Sequence, residues 1–218
     1  IAKLIVHGDT REQALGLLDA ALAQTHIVGV QTNVQFLRRV LATTSFSQAR
    51  LDTALILREK DRLFHQDPLG VQLAVAAAVA QAMLDERASQ GCDPFLRRDG
   101  FRSHGVALRR IDYDYQGQPV VAKLRYLDDG LSLQVGDAPA AALDFQPVDA
   151  GRIDVRYQGR RQVLRVDRRG AVAHIFGSDG AAQITELDPL AAAGEGAGEG
   201  GRLTAPMPGK VVSFAVQA

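Results

Sequence analysis

Leu69-Gly70-Val71-Gln72-Leu73-Ala74-Val75-Ala76-Ala77-Ala78-Val79-Ala80-Gln81-Ala82-Met83-Leu84 is apolar almost all the way round, interrupted only by Gln72 and Gln81. Asp67 is a natural N-cap before it, and Pro68 suits the first helical position, where a missing N–H costs nothing. Asp85-Glu86-Arg87 brings the chain back to water, and Gly91 suits the residue after a helix end. A helix apolar on every face either crosses a bilayer or is surrounded by protein. This run is shorter than the roughly 20 residues a bilayer requires, and it is built largely of alanine. It is therefore read as a core helix, and something in the chain must wrap it.

The sequence after it has the right period. From Val106 onward apolar residues alternate with polar ones: Val106/Leu108, Val120/Ala122/Leu124/Tyr126, Leu131/Leu133/Val135, Leu143/Phe145, Ile153/Val155/Tyr157, Leu164/Val166, Val172/His174/Phe176 and Ala182/Ile184. Turn signals such as Gln116-Gly117, Asp129-Gly130, Gln158-Gly159 and Arg169-Gly170 separate them. The predicted fold class is α+β: an eight-stranded antiparallel β-barrel, or strongly curved sheet, wrapped around the long apolar helix. A helix packed on one side of a sandwich would leave half its apolar surface in water.

Before the central helix lies a small α-rich segment. Lys3–His7 reads as a short strand, Thr10 caps a helix to about Gln24, Thr32 or Asn33 caps a second, and Leu55–Phe64 reads as a connecting helix. Too small to bury a core of its own, it is expected to belong to a domain lying upstream. Ala191–Arg202 is rich in Gly, Ala and Glu and reads as a linker, and Leu203 opens another folding unit. The chain opens with Ile1 and closes on a strand-like run, so it is expected to be a piece of a longer polypeptide.

Charge and composition narrow the function classes. Lys+Arg and Asp+Glu both number 25, a balance unlike the basic excess of nucleic-acid proteins. A single cysteine, Cys92, leaves no internal disulfide and fits a reducing compartment. Gly196-x-Gly198-x-x-Gly201 matches a dinucleotide fingerprint only formally, since no strand precedes it and no helix follows. The five histidines are scattered without metal-ligand spacing. His174 reads as a half-buried structural residue, and the pairs Arg97-Arg98, Arg109-Arg110, Arg160-Arg161 and Arg168-Arg169 read as solvated faces. No catalytic residue, cofactor-binding residue or metal site is expected in this chain.

Two stretches carry a specific resemblance. Lys3-Leu4-Ile5-Val6, Asp9-Thr10-Arg11-Glu12-Gln13-Ala14, Val28-Gly29-Val30-Gln31-Thr32-Asn33-Val34-Gln35-Phe36-Leu37 and Asp52-Thr53 resemble the last segment of a biotin carboxylase domain. Leu203-Thr204-Ala205-Pro206-Met207-Pro208-Gly209-Lys210-Val211-Val212 is similar to the opening strand of a biotin carboxyl carrier domain. That order resembles the α subunit of biotin-dependent acyl-CoA carboxylases. Asp93-Pro94, Asp99-Gly100-Phe101-Arg102, His174-Ile175-Phe176 and Asp188-Pro189-Leu190 look most like the 3-methylcrotonyl-CoA enzyme, with geranyl-CoA and propionyl-CoA enzymes as alternatives.

The resemblance implies residues 1–47 as the end of the carboxylase domain, 48–66 as a connector and 67–187 as a non-catalytic docking domain. Residues 188–202 would be the linker and 203–218 the start of the carrier domain. It implies a hetero-oligomer in which the docking domain meets a carboxyltransferase β subunit and its own carboxylase and carrier domains, with neither nucleic acid nor a membrane span. Covalent biotin, on a lysine beyond Ala218, and ATP with Mg or Mn would belong to the parent protein outside this chain. Its compartment would be the bacterial cytoplasm or the mitochondrial matrix. Phe95, Arg97, Arg98, Phe101 and Arg102 are the candidate interface residues, although packing under the barrel mouth is the simpler expectation for Phe95 and Phe101. A small-ligand-binding barrel is the rival reading, and a filled lumen would exclude it.

Overall fold

The computed structural model describes residues 3–64, 67, 69–91 and 100–188. The chain divides into two compact units, Ile1–Leu187 and Asp188–Ala218, and only Asp188 of the second is described. The linker and the carrier-like strand therefore lie outside the described residues, as do Cys92, Phe95, Arg97 and Arg98.

The opening segment is helical, with α1 at Arg11–Ala23, α2 at Val34–Leu41 and three single-turn helices, α3 at Thr44–Ser47, α4 at Leu55–Arg58 and α5 at Lys60–Leu63. The hydroxyl of Thr10 accepts from the Gln13 N–H at 3.2 Å, and the Gln13 side chain accepts from the Asp9 N–H at 2.8 Å. This is a reciprocal cap, displaced by one residue from the usual box. Two expectations fail. Lys3–His7 pairs with no strand among the described residues, and Leu55–Phe64 breaks at Glu59 into α4 and α5. A helix of one turn gains too few hydrogen bonds to stand alone, so these short pieces rest on their neighbours.

The central helix is α6, Gly70–Ser89. The expected start is corrected: Leu69, not Asp67, is the cap residue and it makes no side-chain cap, while Asp67 stands two residues earlier and its carboxylate accepts from the N–H of Gly70, whose φ is +74°, at 3.0 Å. The far end differs, because Gln90 is extended and Gly91 does not enter the left-handed conformation. Leu73 through Ala80, Ala82 and Met83 are buried.

Around α6 closes a barrel of eight antiparallel strands in sequential order. They are β1 (Ala107–Tyr115), β2 (Gln118–Leu127), β3 (Gly130–Val135), β4 (Ala141–Asp149), β5 (Arg152–Tyr157), β6 (Arg160–Arg169), β7 (Val172–Phe176) and β8 (Ala181–Leu187). Of the two-residue hairpin turns, Gln116-Gly117 and Gln158-Gly159 have both residues at positive φ, as the primed turn requires. β8 returns to β1 through Tyr113↔Glu186 and its neighbours, which closes the wall.

Ile111, Tyr113, Leu124, Leu133, Val135, Phe145, Ile153, Val155, Leu164, Ile175 and Ile184 share one core with α6. The lumen that a small ligand would need is thus occupied by the helix. None of the described helices is long and apolar enough to cross a membrane.

The inward face of two strands is opposite to the expected one. On β1 the inward residues are Ala107, Arg109, Ile111, Tyr113 and Tyr115, whereas Leu108 and the preceding Val106 are about half exposed. On β7 they are Ala173 and Ile175, with Val172, His174 and Phe176 outside. The inward Arg109 hides the alternation on β1. On β7 the outer residues are apolar because the α-helical segment covers part of that face, with the rings of His26 and Phe176 4.7 Å apart.

Candidate docking surface

With the lumen filled, function is left to the barrel's rims, outer wall and attached segments. Polar side chains close both rims. At the start of α6, Tyr115 donates to the Asp67 carboxylate at 2.7 Å, Arg160 reaches the Leu69 carbonyl at 3.3 Å, and Gln72 donates to the Val135 carbonyl at 3.3 Å. Tyr157 donates to the Leu133 carbonyl at 3.0 Å. Burial, and then the hydrogen bond to Asp67, push the Tyr115 phenol up.

The other rim is more highly charged. Glu86, in the last turns of α6, pairs with Arg109 at 2.8 Å, and Arg168 pairs with Glu186 at 2.6 Å. Between these pairs sits Tyr113, 2 % exposed, whose hydroxyl has no hydrogen-bond partner among the described residues. Burial, reinforced by Glu186, holds its phenol above the ordinary range. The Glu86 hydrogen bond raises Arg109 in turn.

Successive residues of a strand face opposite ways, so the arginine pairs split. Arg109 and Arg168 turn toward the rim, while Arg110 and Arg169 face outward onto Asp112 and Asp167. Arg168 stays exposed, and the expectation of wholly solvated arginine pairs is corrected for Arg109 alone among these four. The outer wall carries further matched pairs, Arg161–Asp154 at 2.7 Å and Arg152–Asp149, which hold both carboxyls below their usual range. These pairs neutralise the wall locally and leave it without a strong field of either sign.

Beside the charged rim Gly100 packs against the ring of Tyr126: a Cβ there would meet ring carbons at 2.4–2.8 Å, and φ is +74°. A cavity of about 370 Å³ adjoins it, lined in part by Met83, Arg87, Tyr126 and Leu127. Arg87 also lies over the Phe145 ring at 5.3 Å. Phe101 follows Gly100 and is 85 % exposed, so the expected packing under the barrel mouth is corrected. Arg102 is exposed as well. Val106, Leu108 and Leu127 add exposed apolar surface from the start of β1 and the end of β2.

Of the candidate interface residues, Phe101 and Arg102 thus stand at this rim, and Phe95, Arg97 and Arg98 lie outside the described residues. Sequence reasoning missed Gly100 against Tyr126 and the inward Arg109. The nearest signal was the interrupted alternation of β1. No group of three or more His, Cys, Asp or Glu side chains among the described residues is placed to hold a metal.

Two family models match successive stretches of the chain. The family model for the methylcrotonyl-CoA carboxylase alpha-subunit BT domain matches residues 68–189, and that for the biotin carboxylase C-terminal domain matches residues 1–58. The mitochondrial methylcrotonoyl-CoA carboxylase subunit alpha of Dictyostelium discoideum is 27 % identical over 135 residues, covering 60 % of this chain and 19 % of the relative. That of Arabidopsis thaliana is 25 % identical over 181 residues, covering 72 % and 25 %. The mitochondrial propionyl-CoA carboxylase alpha chain of Caenorhabditis elegans is 25 % identical over 170 residues, covering 77 % and 22 %. The chain spans only about a fifth to a quarter of the length of these relatives. Because the first family model takes in more than half of the residues, the chain belongs to the family of the methylcrotonyl-CoA carboxylase α-subunit BT domain.

Proposed function

We propose that this chain is the docking region of the α subunit of a biotin-dependent acyl-CoA carboxylase, linking ATP-dependent carboxylation of biotin to carboxyl transfer on a β subunit. The observation that carries this reading is the barrel filled by its own helix. Such a unit has no interior for a substrate and offers a rigid, locally neutral exterior with a partly apolar rim. In this reading residues 67–187 are the docking unit, 1–47 and 48–66 belong to the carboxylase side, and 188–202 and 203–218 lead into the carrier. In this reading covalent biotin and ATP with Mg or Mn belong to other parts of the parent protein.

Phe101 and Arg102, with Phe95, Arg97 and Arg98 just before them in sequence, form the contact with the β subunit. An exposed aromatic beside arginines has the composition of an interface anchor. Methylcrotonyl-CoA is the proposed substrate of the parent enzyme. Propionyl-CoA is the second reading, because an α chain named for it aligns over 77 % of these residues.

The test is size-exclusion chromatography with light scattering on the full-length α subunit mixed with its β subunit, with and without residues 67–187. Deletion is expected to abolish co-elution while ATP-dependent carboxylation of free biotin persists. A deletion variant that still co-elutes would overturn the reading. Assaying the assembled enzyme with methylcrotonyl-CoA and propionyl-CoA separates the two substrates.

A further inference from the structure

The α-helical segment meets the barrel at the β7–β8 turn and on the outer face of β6 and β7. Arg38 of α2 donates through Nε and Nη2 to the two carboxylate oxygens of Asp19 on α1, at 2.8 and 3.3 Å. The same Nη2 donates to the Ser178 carbonyl in the β7–β8 turn at 2.8 Å. One guanidinium therefore ties two helices to the barrel, and its side chain is only 14 % exposed. The turn is itself held in place. The Gly177 N–H donates to the Gly180 carbonyl at 2.8 Å, and the Gln162 amide donates to the Ser178 hydroxyl and the Asp179 carboxylate at 2.9 and 3.3 Å.

Just beyond the end of α1, the His26 ring lies on Phe176 with centroids 4.7 Å apart. A cavity of about 280 Å³ opens there, lined by Gln24, His26, Val28, Arg165, Asp167, Arg169 and Phe176. The charged groups facing His26 from β6 are Arg165, Asp167 and Arg169, and Asp167 is already paired with Arg169 at 3.1 Å. From β7 the titratable neighbour is His174, opposite Asp167 in register. Two guanidinium groups thus stand against one carboxylate, and a proton on the exposed His26 adds a positive charge where its ring meets Phe176.

We propose that Arg38, Ser178, His26 and Phe176 form a joint that sets the orientation of the α-helical segment on the barrel, and that protonation of His26 releases it. Burial, and then Arg165, hold the docked imidazole below its ordinary value of 6.5, with a backbone hydrogen bond at Ala23 acting the other way. The docked state therefore binds protons less readily than the undocked one. The joint is at full strength above about pH 6.5 and loses it as pH falls through the lowered value. The coupling resides in this chain's own residues and does not depend on any β subunit.

The test places a donor–acceptor fluorophore pair on exposed Ala20 and Gln146, through non-natural amino acids, in the full-length protein. Transfer efficiency is read from about pH 8 to about pH 5.5, across the imidazole range. The wild type is expected to hold one efficiency at neutral pH and to shift in a single-proton step below the ordinary imidazole range. His26→Gln is expected to keep the neutral-pH efficiency throughout, and Arg38→Gln to show the shifted efficiency at every pH. A flat wild-type profile, or a His26→Gln profile that still titrates, would overturn the proposal. So would a shift accompanied by loss of the tyrosine near-ultraviolet circular dichroism, which would mean that the barrel itself had unfolded.

Discussion

The Glu86 carboxylate on α6 and the Arg109 guanidinium on β1 hold each other at 2.8–2.9 Å across the barrel rim, joining the filling helix to the wall around it. The helix contributes an otherwise almost unbroken apolar surface, and the pair sits where that surface ends. Each side chain is largely withdrawn from water, at 17 % and 29 % exposure, so removing one partner leaves the other's charge at a site shielded from water.

Arg109→Met alone is accordingly expected to destabilise the barrel by about 2 kcal/mol, the loss associated with a charged hydrogen bond. Adding Glu86→Leu should restore much of that loss, because the pair is then replaced by apolar contact. Urea unfolding of the single and double variants measures both. Independent, additive losses would show that the two side chains do not act as a pair.

The tyrosines of the two rims are expected to respond in opposite ways. Tyr113→Phe removes a buried hydroxyl that has no partner among the described residues, so stability should be unchanged or higher by about 1 kcal/mol. Tyr115→Phe removes the donor to Asp67 and should cost about 1 kcal/mol. Both phenols are raised in the folded chain, so their contribution is complete below the ordinary phenol value near 10 and declines as pH rises beyond it. Unfolding free energy measured across that range should fall in the alkaline limb, and less steeply in Tyr113→Phe.

Gly100→Ala is expected to disturb the packing of Gly100 on the barrel, because both the positive φ and the Tyr126 ring oppose a Cβ. The expected cost is about 1–3 kcal/mol, the range for overpacking a tight site. Tyr126→Ala in the same chain should relieve the steric part and leave the backbone part. Thermal unfolding of Gly100→Ala, Tyr126→Ala and the double variant separates the two.

Under the docking reading, Phe101→Ser with Arg102→Glu should leave the unfolding transition in place while weakening β-subunit binding by about 2 kcal/mol, near thirty-fold, as loss of an interface anchor does. Calorimetric titration of the full-length subunits measures this. Unchanged affinity would place the contact elsewhere on the barrel.

Much of the architecture was legible in the sequence because it depends on period alone. Leu69–Leu84 is apolar on every face, and a run that short must be enclosed by protein. The alternation after Val106, punctuated by turns such as Gln116-Gly117, supplies the enclosing strands. Hydrophobic period and turn chemistry are local properties, and they survive without knowledge of neighbours. Thr10 as the cap of α1 was readable for the same reason.

What only the tertiary structure decided lies where a residue's character is set by a partner distant in sequence. Arg109 looks like an outward residue until Glu86 stands opposite it, and reading it as outward reverses the face of β1. Phe176 looks like core until the α-helical segment arrives to cover it from outside with His26. Gly100 has no local signature, since its need for a bare Cα comes from Tyr126. Period shows that a strand has two faces. Which face is buried is decided by the free energy of the completed contact, and only the folded chain brings those partners together.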